Sequence, residues 1–169
     1  MKVVVSIGGS VLVPEPSGAR VAEHADVIEE LVADGCRVGA VVGGGGVARE
    51  YISAARDLGA NEIELDQLGI DVTRLNARLL IAALGEDAVT APATTYDEAG
   101  EALRRSDISV MGGVAPAQTT DAVGAALAEY VTPTCSSTRR AFPASTATIP
   151  TKLTTRRSTT ASRRTTSST

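Results

Sequence analysis

Three short apolar runs in this chain each stop at a cluster of glycines, and that pattern limits the fold more than any other feature. Lys2 to Ile7 ends at Gly8-Gly9, Arg37 to Val42 ends at Gly43 to Gly46, and Ile108 to Met111 ends at Gly112-Gly113. A short apolar, β-branched run bounded by glycines reads as a buried strand. Between the runs the period becomes helical. Val21, Ile28, Leu31 and Val32 fall on one helical face, Glu23, Glu29 and Glu30 fall off it, and Gly35 stands where a helix stops. A second helix follows the long glycine run, with Val47, Tyr51, Ala54, Ala55 and Leu58 read as inward and Gly59 as its stop. Leu65 to Leu84 reads as helix, Ala88 to Ala91 as a further short strand, the stretch around Asp97–Arg105 as helix, and Thr119 to Val131 as a last helix. On that last helix Val123, Ala126, Leu127 and Tyr130 share one side.

Alternating strands and helices, with strands apolar throughout, imply an α/β fold. The expected form is a three-layer α/β/α sandwich around a mainly parallel central sheet. Ligands of such sheets bind at the carboxyl ends of the strands, where all three glycine clusters would lie. Glycine lets backbone N–H groups approach an oxyanion, and the helix N-termini that follow favour negative charge. A phosphate site built from several loops is the functional reading; tight strand-to-helix turns are the plain structural one. The chain contains neither G-x-x-x-x-G-K-[ST] nor a G-x-G-x-x-G after the first strand, so the common nucleotide loops are unsupported.

Charge divides the chain in two. Residues 1–131 hold 20 acidic and 9 basic residues, a balance of −11, and residues 132–169 hold no acidic and 7 basic ones, a balance of +7. In the last 38 residues, 20 are Ser or Thr, with no helical or strand period. The acidic part has one lysine, Lys2, and otherwise arginine, as in proteins adapted to salt. Cys36 and Cys135 stand far apart in unlike contexts, so a reducing cytoplasm is expected rather than a disulfide framework. No run is long and apolar enough for a membrane span or a signal peptide. His24 reads as a surface histidine and Cys36 as a small buried residue, and neither implies a metal site.

The glycine motifs, taken together, carry a resemblance. Val4-Val5-Ser6-Ile7-Gly8-Gly9-Ser10-Val11-Leu12, then Val41-Val42-Gly43-Gly44-Gly45 with Ala48-Arg49, then Val110-Met111-Gly112-Gly113, Pro116 and Thr119-Thr120-Asp121 resemble the amino-acid kinase superfamily. Ile70, Thr73-Arg74, Asn76-Ala77 and Leu79 to Leu84 are similar to its archaeal uridylate (UMP) kinase type. The resemblance runs over residues 1–131 and implies transfer of the ATP γ-phosphoryl group to UMP with Mg²⁺, in a cytoplasmic homo-oligomer, a hexamer, without nucleic acid or membrane. Such transfer depends on positioning and charge neutralisation. By position, Gly9, Ser10, Gly45 and Arg49 resemble ATP contacts, with Arg49 offering a planar fork for phosphate. Gly44, Asp66 and the loop Val114, Ala115, Pro116, Ala117, Gln118, Thr119 and Thr120 resemble the UMP side, Asp66 accepting from ribose or base. Arg49 and Asp121 are the residues expected to serve the transfer itself.

Ser6 stands where many members carry a lysine, and Val114 and Ala117 where many carry Thr and Gly. Each candidate also has a plainer role: Arg49 a solvated arginine, Asp66 and Asp121 helix-dipole partners, Thr119 or Thr120 an N-cap. Another phosphotransferase of the superfamily, acting on an amino acid, carbamate or isopentenyl phosphate, is the enzyme alternative. A truncated nucleotide-binding protein, or an RNA-binding one driven by its basic tail, is the non-enzyme alternative.

Residues 132–169 read best as a frameshift product. The family continues here with a buried strand and loop, approximately Asp-Ala-Asp-Leu-Leu-Val-Tyr-Ala-Thr-Ser-Val-Pro-Gly-Val-Tyr-Ser. GC-rich codons for that segment, read one base later, give Thr-Pro-Thr-Cys-Ser-Ser-Thr-Arg-Arg-Ala-Phe-Pro-Ala-Ser-Thr, which is Thr132 to Thr146 as it stands. On this reading the kinase-like domain is incomplete at its C-terminus, with an open sheet edge and an inactive or unstable chain as the expectation. The other reading frame near codon 131 tests it.

Overall fold

The apolar runs form the strands expected of them: β1 (Lys2–Ile7), β2 (Arg37–Val42) and β3 (Ile108–Met111). The computed structural model describes residues 1–12, 18–85, 88–131 and 139–140. Its helices are α1 (Gly9–Leu12), α2 (Gly18–Ala33), α3 (Gly45–Asp57), α4 (Glu62–Leu84), α5 (Tyr96–Arg105) and α6 (Thr120–Tyr130). A two-residue strand, β4 (Arg139–Arg140), completes a sheet of order β3-β2-β1-β4. Every pairing is parallel, and β1 runs beside β2 from Lys2 opposite Arg37 to Ile7 opposite Val42. The three glycine clusters therefore emerge at one edge of the sheet.

Alternation along the strands splits the core between two faces. Val3 and Ile7 of β1, Val38, Ala40 and Val42 of β2, and Ile108 and Val110 of β3 pack with Val21 and Ile28 of α2 and Leu80 and Leu84 of α4. Val4, Val41 and Met111 point the other way, onto Leu103 of α5 and Val123 and Leu127 of α6. This is the three-layer α/β/α arrangement, with a sheet buried on both sides as a parallel sheet requires. Helix stops fall where glycine predicts them: Gly35, Gly59 and Gly85 all have positive φ.

Four local expectations need correction. Ala88 to Ala91 is not a strand; Ala88 makes a single parallel bridge to Ile108 of β3, and Ala93, beyond the segment, makes another to Met111. On α3 Ala48 is buried and Val47, Ile52 and Ala55 are half-buried, with Ile52 against Gly69 of α4, while Tyr51, Ala54 and Leu58 are exposed. Tyr130 is half exposed and stacks on Tyr96, with ring centroids 6.5 Å apart, instead of entering the core. In the tail, where no strand period is visible, Arg139–Arg140 adds to β1 opposite Val5 and Ser6. The rest of the tail, Cys135 included, lies outside the described residues. Cys36 is buried and free, as expected. Among the described residues no helix is long and apolar enough to cross a membrane.

Candidate active site

The first two glycine turns touch backbone to backbone. A methyl group on Gly9 would overlap Gly43, Gly44 and Gly45, and one on Gly43 would come within 2.8 Å of both the Gly9 nitrogen and the Thr120 hydroxyl. Gly45 also has φ 66°, a left-handed conformation that costs other residues energy. Glycine here serves close approach as well as turning. Gly43 donates its N–H to the Ile7 carbonyl at 2.9 Å, which joins the ends of β1 and β2. The first turn of α3 begins at Gly45, so its N–H groups lack intrahelical partners.

Beside these turns lies a cavity of about 320 Å³. Gly44 and Gly45, Asp66 and Thr73 of α4, Gly112-Gly113, and the loop from Ala115 to Thr120 line it. Eight of the nine residues expected on the UMP side meet here, Gly44, Asp66 and Ala115 to Thr120. Val114 does not line the cavity; it packs against the Val4–Leu127 core. The loop is tied down at several points. The Ala117 N–H donates to Asp66 Oδ2 at 2.9 Å, Tyr96 donates to Gln118 Oε1 at 3.3 Å, and Thr119 caps α6 by accepting from the Ala122 N–H. Ala117 has φ 61°, in the region that glycine occupies without strain.

The remaining candidates stand around the glycine turns. Ser10 lies in α1, and Arg49 of α3 donates to its hydroxyl across a long 3.4 Å contact, so these two meet in space although 39 residues apart. Arg49 is exposed. Asp121, in the first turn of α6, accepts from the buried Ser6 hydroxyl at 3.0 Å. Ser6, where many superfamily members have lysine, is thus paired with the carboxylate. Two titrations are displaced nearby on α5 and α6. The Glu98 carboxyl is held below its ordinary value by the Thr94 N–H and hydroxyl, and Tyr130 is pushed up by donating to Asp97. Among the described residues no three His, Cys, Asp or Glu side chains gather as a metal cluster would.

Two polar side chains to which the sequence reading gave no role also reach the turns. The Thr73 hydroxyl accepts from the Gly113 N–H at 2.6 Å, and the buried Asn76 amide donates to the carbonyls of Gly43 and Gly44 at 2.9 and 3.2 Å. Their sequence signal is a Thr and an Asn three residues apart among Ile70, Ala77 and Leu80, polar residues on a face otherwise apolar.

Residues 1–136 match the amino acid kinase family. The chain belongs to that family. Uridylate kinase of Halobacterium salinarum is 71% identical over 130 residues, which cover 77% of this chain and 54% of the relative. Uridylate kinase of Halorubrum lacusprofundi is 71% identical over 131 residues, 78% of this chain and 54% of the relative. The chain thus spans about half the length of these curated relatives. The crystal structure of uridylate kinase from Archaeoglobus fulgidus superposes with a TM-score of 0.72 at 47% identity, over 78% of this chain and 59% of that one.

Proposed function

We propose that this chain carries the nucleotide site of a UMP kinase, which transfers the γ-phosphoryl group of ATP to UMP and yields UDP and ADP. One observation carries the reading. Asp66, the Gly44-Gly45 turn and the Ala115–Thr120 loop converge on one cavity, in a chain 71% identical to uridylate kinases over its described body. Asp66 supplies acceptors suited to a ribose or a base edge, and the N–H groups at the heads of α3 and α6 suit a phosphate. On the ATP side, Gly9, Gly45, Ser10 and Arg49 form the rim where β1 and β2 end. Arg49 supplies charge there and Ser10 holds its guanidinium. Asp121, held by Ser6, orients the head of α6. Phosphoryl transfer asks for little more than such positioning and charge. On this reading Mg²⁺ comes bound to the ATP phosphates as part of the substrate. The same reading makes the enzyme a cytoplasmic homo-oligomer, a hexamer.

The Asp66 carboxylate and the loop it holds favour a nucleotide acceptor over an amino acid, carbamate or isopentenyl phosphate. Calorimetric titration with UMP, AMP and carbamate, alongside release of ADP from ATP, tests this. UMP is expected to bind at least about tenfold more tightly than AMP, and Asp66→Asn to remove most of that preference. Equal binding of UMP and AMP, or none of UMP, would sink the proposal.

A further inference from the structure

We infer that Thr73 and Asn76 of α4 are positioning residues, which set the gap between the second and third glycine turns and so the place of the acceptor phosphate. Thr73 touches both turns. Its hydroxyl accepts from the Gly113 N–H and donates to the Ile70 carbonyl, each at 2.6 Å. Its methyl faces Gly44, at 3.6 Å from where a Cβ would stand. Glycine is needed opposite it, since a Cβ on Gly112 would come within 2.5 Å of the Thr73 hydroxyl. Asn76, one helical turn on, holds the carbonyls of Gly43 and Gly44 while 3% exposed.

In a trans peptide the C=O of one residue and the N–H of the next point opposite ways. Fixing the Gly43 and Gly44 carbonyls against Asn76 therefore turns the Gly44 and Gly45 N–H groups away from it. The two side chains are three residues apart on a helix, about 4.5 Å of rise. That rigid spacing is passed to two loops that lie beyond the last β2–β3 pair, Val41 opposite Met111. Asn76 holds the buried Gly43 carbonyl and shares the Gly44 carbonyl with the Ala48 N–H of α3.

The consequence for binding rests on the functional reading above; the consequence for the turns rests on the hydrogen bonds alone. The test uses the full chain, with UMP and uridine as probes and amide exchange of Gly113 followed by NMR. Thr73→Val and Asn76→Leu are expected to weaken UMP binding about tenfold or more, and uridine less than about twofold, because the turns serve the phosphate. Thr73→Ser, which keeps the hydroxyl, should stay within about threefold of the unmodified chain. UMP binding in Thr73→Val and Asn76→Leu within about twofold of the unmodified chain overturns the inference. If the unmodified chain binds no UMP, the functional reading falls, and Gly113 exchange decides the positioning role. Exchange at least about tenfold faster in Thr73→Val but not in Thr73→Ser supports it; equal exchange in all three overturns it. Should the Val and Leu variants fail to fold, a Gly113 amide protected in both the unmodified chain and Thr73→Ser supports the role, and exchange at the free-peptide rate overturns it.

Discussion

Ala117 is the residue at which sequence and backbone disagree most sharply. Its φ of 61° places a Cβ where the left-handed region disfavours one, and the Asp66 carboxylate holds it there through the N–H. Strain of this kind costs about 1 kcal/mol. Ala117→Gly is therefore expected to raise stability by up to about 1 kcal/mol, less what the looser unfolded chain regains. Urea denaturation of both chains measures it, and a Gly variant less stable by 1 kcal/mol or more would show that the conformation carries no strain. The site was legible where its logic is local. Gly43 to Gly46 and Thr119 betray a turn and a cap within a few residues, and both stand where the sequence places them. Thr73 and Asn76 were not legible as site residues, because their partners lie 40 and 33 residues away and only the packing of α4 on the strand ends brings them together.

At the scale of elements, helix ends carry most of the specific polar contacts. Thr95 caps α5, and Glu98 answers by accepting from the Thr94 N–H at 2.7 Å and the Thr94 hydroxyl at 2.8 Å. A carboxyl held below its ordinary 4.5 stabilises the fold above that pH and loses the effect as pH falls through the lowered value. Glu98→Gln should thus lower the melting temperature at pH 7, and the gap to the unmodified chain should close below pH 4.5. A gap that persists unchanged into acid would refute the assignment. At the other end of a helix, Lys2 donates to the Val131 carbonyl at 3.1 Å, past the last turn of α6. Its ammonium also meets the negative end of the helix dipole. Lys2→Met should cost about 0.5–1 kcal/mol, and Lys2→Arg less, by the same denaturation measurement. An unchanged midpoint in Lys2→Met would show the contact to be idle.

Strands and most helices could be read from apolar period and glycine stops. What could not be read was phase and tertiary competition. Tyr51 and Leu58 look inward on a helical wheel, yet both are exposed while Ala48 is buried and Ile52 lies against Gly69 of α4. Ala88 to Ala91 has strand composition but gains only a single bridge to β3, at Ala88. The start of α4 at Glu62, three residues before Leu65, is signalled by a capping box of Asn61 and Glu64 that apolar period alone overlooks.

Across the whole molecule, charge is spread thinly over a well-buried frame. The ion pairs of the described residues, Arg37–Asp107, Arg56–Glu62, Arg104–Glu101 and Arg105–Glu101, all lie on substantially exposed side chains. Such pairs contribute little, so salt removes little by screening them. Residues 1–131 meanwhile carry −11, and their mutual repulsion is what salt relieves. The melting temperature is expected to rise between 0.1 and 1 M KCl, and a fall over that range would place more stability in the surface pairs than their exposure allows.

The contact between Gly9 and Gly45 bears on motion as well as shape. Side chains that separate two loops can change rotamer and let each loop shift alone. Here main chain lies on main chain, with no Cβ between them. The start of α1 and the start of α3 have no such slack and must move as a single body. An anion drawn to one turn would then displace the other with it, with no side chain between them to absorb the push.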